Sequence, residues 1–215
     1  MTKNLLKRRF SGNGLAEISC EKCNLKAFEK ELWCEECSSL IPFTLLTQKN
    51  EFEMFGIEPE FEIDPEELFQ KFKDLQRQLN TKKFSRAGEQ RLKLEQTIQV
   101  VNQSYMTLRN DFRRGNLLLK ILGQPCVVDD FELSEPDFFD EIVYFSLELF
   151  EKTEKEDLEN LRWQIEYRRD TFAEYISYSF FHEFYEQCLE ELKMIKNLDQ
   201  MITHCDERLY DLKWI

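Results

Sequence analysis

Apolar residues recur along most of this chain at three- and four-residue intervals, the period that gathers side chains on one face of an α-helix. In residues 65–79 the shared face holds Leu68, Phe72, Leu75 and Leu79. In residues 86–108 it holds Leu94, Ile98, Val101, Tyr105 and Leu108. The polar stretch Asn80-Thr81-Lys82-Lys83 joins them, and so short a connection predicts an antiparallel hairpin with a solvated tip. A short helix is expected over 51–55, with Asn50 as its cap and Gly56 as its stop, and another over 112–122, closed by Gly123-Gln-Pro125. Gly115 inside that last pattern costs helix stability and suggests close approach of a second helix. Beyond an acidic stretch, three more helices are expected over 137–152, 155–180 and 183–212. The first of the long pair carries Leu158, Leu161, Ile165, Phe172 and Ile176, the second Phe184, Cys188, Leu192, Ile195, Leu198, Ile202, Cys205 and Leu209, and together they predict a second hairpin with the 137–152 helix packed across it. Six Gly and five Pro in 215 residues leave little turn chemistry for a sheet, so the fold class expected is all-α.

The same pattern divides the chain into a basic arm (1–12), a cysteine-bearing segment (13–48), a helical hairpin unit (49–125), a linker (126–136) and a three-helix bundle (137–215). Charge follows these divisions. The net charge is −13, and residues 126–215 alone hold nine bases against twenty-four acids. Such a surface opposes the clustered Lys and Arg that phosphate backbones require, so nucleic acid is excluded as a partner. No apolar run reaches the ~18–20 residues needed to cross a bilayer as a helix. Residues 1–12 contain Lys3, Lys7, Arg8 and Arg9 with Leu5, Leu6 and Phe10 between them and no acid, the composition of a mitochondrial targeting segment; a plain basic tail is the alternative.

Four of the seven cysteines form two C-x-x-C pairs, Cys20 with Cys23 and Cys34 with Cys37, ten residues apart. Each pair sets two thiolates on a tight knuckle, and two knuckles complete a tetrahedral site for Zn²⁺ with no open position. A closed site of this kind is structural, folding a segment with little core of its own. An iron–sulfur cluster and redox dithiols are the alternatives. Cys126, Cys188 and Cys205 stand alone; the last two fall on apolar helix faces and are expected in the core.

Knuckles, helical hairpin unit, acidic linker and three-helix bundle, in that order, resemble the mitochondrial iron–sulfur co-chaperones of the HscB type, which are J-domain proteins. The local likenesses are Leu-Trp-Cys-Glu-Glu-Cys at 32–37, Phe-Glu-Met-Phe-Gly at 52–56, Leu-Phe-Gln-Lys-Phe-Lys at 68–73, Val-Asn-Gln-Ser-Tyr at 101–105 and, most specifically, Arg-Gly-Asn-Leu-Leu-Leu-Lys at 114–120. The resemblance implies a protein that binds an iron–sulfur scaffold and a DnaK-type chaperone and stimulates the chaperone's ATPase through a His-Pro-Asp triad. Here the triad positions read Asn80, Thr81 and Lys82, and Lys82 reverses a charge that would face a cationic partner. Lys71, Lys73 and Arg77 supply the basic helix face that J-domains present, or an ordinary solvated face. Phe138, Phe139, Val143 and Tyr144 align with the family's scaffold-binding surface, which Asp140 interrupts.

No phosphate loop and no nucleophile–histidine arrangement occurs, so an enzyme is not expected. The absent triad favours a pseudo-J-protein: a structural or adaptor subunit of a larger mitochondrial assembly, such as a respiratory complex, on the matrix side. The alternative is an active co-chaperone of iron–sulfur cluster assembly.

Overall fold

Helix starts and stops follow local chemistry. Asn50 opens α1 (Glu51–Phe55) with a capping box: its side chain accepts from the Glu53 amide at 3.0 Å, and the Glu53 carboxylate accepts from the Asn50 amide at 3.0 Å. Gly56, at φ 59°, closes the helix, returning its own amide and that of Ile57 to the carbonyls of Glu53 and Phe52. Asp64 opens α2 (Pro65–Gln78) by accepting from the amides of Glu66 and Glu67, with Pro65 where a missing amide costs nothing. The computed structural model describes residues 17–19, 23, 26–28, 50–79, 88–128 and 136–212. The basic arm (1–12), Cys20, Cys34, Cys37 and the hairpin tip Asn80, Thr81 and Lys82 lie outside the described residues.

Contacts divide the chain into two units, Met1–Arg109 and Asn110–Ile215. In the first, β1 (Glu17–Ser19) pairs antiparallel with β2 (Lys26–Phe28), Ile18 opposite Ala27. The rest of the described chain is helical as expected; these two three-residue strands are the exception, with Cys23 on a turn between them. The helical body of the unit is α1, α2 and α3 (Gly88–Arg109). Phe72 stacks on Tyr105 at 4.1 Å between ring centroids, and Gln76 Nε2 donates to Asn102 at 3.3 Å. Residue numbers rise along α2 as they fall along α3, so the two run antiparallel. Phe52, Phe55, Phe61, Leu68, Leu79, Leu94, Val101 and Leu108 fill the core. Thr97 and Ser104 are buried on the same stripe of α3, and Thr97 satisfies its hydroxyl on the Lys93 carbonyl at 2.8 Å. Small side chains there leave room for α1 and α2.

The second unit comprises α4 (Asp111–Ile121), α5 (Pro136–Glu151), α6 (Lys155–Phe181) and α7 (Tyr185–Asp211). Ser179 meets Glu191, Arg169 meets Asp199 and Arg162 meets Asp206, which sets α6 and α7 as an antiparallel pair over their whole length. Leu158, Leu161, Ile165, Phe172, Ile176, Cys188, Leu192, Ile195, Leu198 and Cys205 form the seam between them, all essentially without exposure. The turn closes with Glu183 at φ 63°; its amide and that of Phe184 return to Phe180 and Ser179. Helix α4 packs on α7 through Gly115: a Cβ there would lie 2.6 Å from Leu192 Cδ2. Asn116 then binds the chain past the helix end, donating to the Val127 carbonyl at 2.9 Å and accepting from its amide at 2.8 Å.

Candidate functional site

Two surfaces carry the candidate residues, one in each unit. On α2 the three bases do not share a face. Lys71 donates to the Gly56 carbonyl at 2.9 Å and pairs with Glu67 at 2.8 Å, tying α2 to the end of α1. Lys73 and Arg77, four residues apart, stand together on the side away from Leu68 and Leu79. Lys73 Nζ sits over the Phe69 ring at 3.9 Å, and Arg77 pairs with Asp74 at 2.6 Å. The outward basic face of α2 is therefore Lys73 and Arg77, and Lys71 is a strut.

On α5 the sequence places apolar residues on two faces. Phe138, Ile142, Phe145 and Leu149 turn toward the bundle. Phe138, aligned by sequence with the partner surface, meets Phe172 of α6 edge to face at 5.0 Å and belongs with the packing. Phe139, Val143, Leu147 and Phe150, at spacings of four, four and three, form a second stripe that is exposed, with Phe150 84% accessible. Tyr144 is exposed beside it, and Asp140 is exposed as well. Leu147 and Phe150 were not singled out from sequence, although their spacing from Phe139 and Val143 carried the signal.

Polar contacts hold α5 so that this stripe is presented on a fixed helix. Glu141 takes a two-pronged hydrogen bond from Arg168 of α6, 2.5 Å from Nε and 2.9 Å from Nη2, and the Arg168 guanidinium also lies 4.5 Å from the Phe172 ring centroid. Arg208 of α7 donates to the carbonyls of Leu149 and Lys152 at the C-terminal end of α5, where carbonyls lack helical partners. Between α5 and α7 runs a groove of about 720 Å³, lined by Ile142, Ser146 and Phe150 on one side and Asn197, Met201 and His204 on the other. Ile142, Leu149, Phe150 and Met201 supply its apolar area beside the polar Ser146, Asn197, Gln200, His204, Glu207 and Arg208, a mixed lining that suits a protein side chain.

Arg169 fixes the bundle from the far side of α6. It pairs with Asp111 of α4 at 2.7 Å and with Asp199 of α7 at 2.8 Å. Burial works to lower its pKa, but the hydrogen bond to Asp199 and the charges of both carboxylates outweigh burial and raise it. Of the four metal candidates only Cys23 falls among the described residues, on a turn between β1 and β2.

No family model matches the sequence. Among curated proteins, the co-chaperone protein HscB homolog of Vibrio atlanticus is 31% identical over 118 residues, 54% of this chain and 69% of the relative. The HscB homolog of Shewanella halifaxensis is 27% identical over 172 residues, 77% of this chain and 90% of the relative. Among solved structures, human co-chaperone protein HscB superposes with a TM-score of 0.76 at 22% identity, covering 92% of this chain and 99% of that one. The Jac1 co-chaperone from Saccharomyces cerevisiae gives 0.62 at 17% identity, covering 74% and 95%. The structural likeness is one of fold.

Proposed function

The chain belongs to the HscB co-chaperone family, and on that premise we propose that it is a J-type co-chaperone of iron–sulfur cluster assembly. In this reading the C-terminal bundle binds the cluster scaffold through the α5 face, and α2 meets a DnaK-type chaperone through Lys73 and Arg77. The observation that carries the reading is the exposed apolar stripe Phe139, Val143, Leu147 and Phe150. Large apolar side chains in one contiguous row on a braced helix mark a protein interface. The expected role as a structural subunit of a respiratory complex has no support in the relatives and structures named above, each a co-chaperone by name.

A second reading, in which the scaffold is bound without chaperone stimulation, rests on the expectation from sequence that Asn80, Thr81 and Lys82 occupy the positions of the family's triad. Steady-state ATP turnover by the DnaK-type chaperone in the presence of scaffold decides between them. The co-chaperone reading expects a several-fold rise on addition of this protein. A rate that stays at the scaffold-only value, and rises only in a variant carrying Asn80→His, Thr81→Pro and Lys82→Asp, supports the second. We further propose that the basic arm directs the chain to the mitochondrial matrix, where a fluorescent fusion lacking 1–12 should fail to accumulate. Cys20, Cys23, Cys34 and Cys37 are proposed to hold one structural Zn²⁺; purified protein should then be colourless with one zinc per chain, and iron absorbance would contradict it.

A further inference from the structure

The side of α6 opposite its seam with α7 is covered neither by α5 nor by α7. The seam residues Leu158, Leu161, Ile165, Phe172 and Ile176 define one side of the helix. On the other, Trp163, Tyr167, Asp170, Glu174, Tyr178 and Phe181 follow one another at three- and four-residue steps and are all exposed. Trp163 and Tyr167 already stack on each other, 5.8 Å between centroids at 22°. From Trp163 to Phe181 the row advances 18 residue steps, about 27 Å at ~1.5 Å per residue.

Charge says what would cover it. Every arginine of α6 is engaged within the bundle: Arg162 with Glu166 and Asp206, Arg168 with Glu141, Arg169 with Asp111 and Asp199 and, at 3.2 Å, with the exposed Asp170 at the edge of the row. The outer row is left with carboxylates and aromatic rings, and no Lys or Arg occurs from Asp170 to Leu192. Aromatic faces attract cations through the ring quadrupole, and neighbouring carboxylates add to the same field. A second copy of this chain would set acids against acids, and a phosphate-bearing surface would meet the same repulsion.

We propose that the outer face of α6 is a docking surface for a Lys- and Arg-bearing helix of a partner protein, its cationic side chains laid over Trp163, Tyr167 and Tyr178 and paired with Asp170 and Glu174. It is separate from the α5 stripe and the groove beside it, so it serves a partner other than the one held there.

The test is a fluorescence-anisotropy titration of the full chain with a labelled, synthetic helical peptide of about five turns, bearing Lys and Arg at every third or fourth position. Micromolar binding that weakens with added salt is expected. It should fall about tenfold in Tyr167→Ser/Tyr178→Ser, two rings lost, and comparably in Asp170→Lys/Glu174→Lys. All four positions are exposed, so circular dichroism should show both variants folded. The Phe139→Lys/Val143→Lys variant should bind the peptide as wild type does, which separates failure at α6 from failure of the α5 reading. Undiminished binding in the α6 variants would overturn the proposal. So would equal binding of a Glu-substituted peptide, capture by anionic vesicles, or self-association lost in those variants.

Discussion

Glu191 is the residue whose behaviour the packing governs most directly. It is 3% exposed within the α6–α7 seam. Its Oε1 accepts from Ser179 Oγ at 3.1 Å and from Gln187 Nε2 at 3.0 Å, while Oε2 has no hydrogen-bond partner among the described residues. Burial raises its pKa to about 6, against the two hydrogen bonds that lower it. In the unfolded chain a Glu titrates near ~4.3. Between those values the folded state binds more protons than the unfolded one, so stability falls as pH rises through the window and the penalty is complete above about pH 6. At roughly 1.4 kcal/mol per pKa unit the penalty is on the order of 2 kcal/mol. Glu191→Gln should therefore unfold at higher urea than wild type at pH 8, by about 1–2 kcal/mol, and show no gain near pH 4. An equal gain at both pH values would assign the effect to packing. Cys188, one turn away, has its thiol pushed up to about 12 by burial and by the charge of Glu191, the state of a core residue and not of a reactive one. Both isolated helix cysteines were legible in sequence as core, since they fall on the apolar period, and both are buried. Glu191 was less legible: it lies in a run of acids, and only its spacing of three from Cys188 and four from Ile195 placed it in the seam.

Among elements, helix extents were the most legible feature, because the sequence contains their caps. Asn50, Gly56, Asp64 and Gly123 all act at the positions where the residue types predict a start or a stop. What each helix packs against was less so. Helix α4 reads as the last helix of the J-like segment 49–125, yet its contacts are with α7, through Gly115 against Leu192 and Phe112 under Lys196 at 5.4 Å. The period of an amphipathic helix names a face and not a partner. Gly115 nevertheless carried a signal, being a helix-weakening residue in an otherwise favourable segment. Gly115→Ala gains about 1 kcal/mol of helix propensity but sets a methyl 2.6 Å from Leu192 Cδ2, so this fully buried side chain must shift; overpacking of this kind costs ~1–3 kcal/mol. A net loss of about 1 kcal/mol is expected in urea unfolding, recovered when Leu192 is shortened to Val in the same chain. A stabilised single variant would show that α4 and α7 are not in the close contact described. Helix α5 posed a different problem. With apolar residues on two faces, its sequence does not say which face is core, and Phe138 went inward while Leu147 and Phe150 joined Phe139 and Val143 outside.

At the scale of the whole molecule, charge and apolar surface are sorted by function. Three arginines of the second unit join helices: Arg168 braces α5, Arg169 gathers α4 and α7 onto α6, and Arg208 closes the end of α5. The family likeness was legible from motifs spread over the chain, while the departure expected from sequence rests on Asn80, Thr81 and Lys82, outside the described residues. On the proposed function, scaffold binding through the α5 stripe and chaperone activation through the connection after α2 are separable, and binding is the part that the stripe supports. Isothermal titration of the purified protein with the iron–sulfur scaffold tests it most directly. Saturable micromolar binding that is abolished by Val143→Lys/Leu147→Lys and retained by Lys73→Ala/Arg77→Ala is the predicted result. Absence of heat with the wild-type chain, or binding undisturbed by charges placed in the α5 stripe, would contradict it.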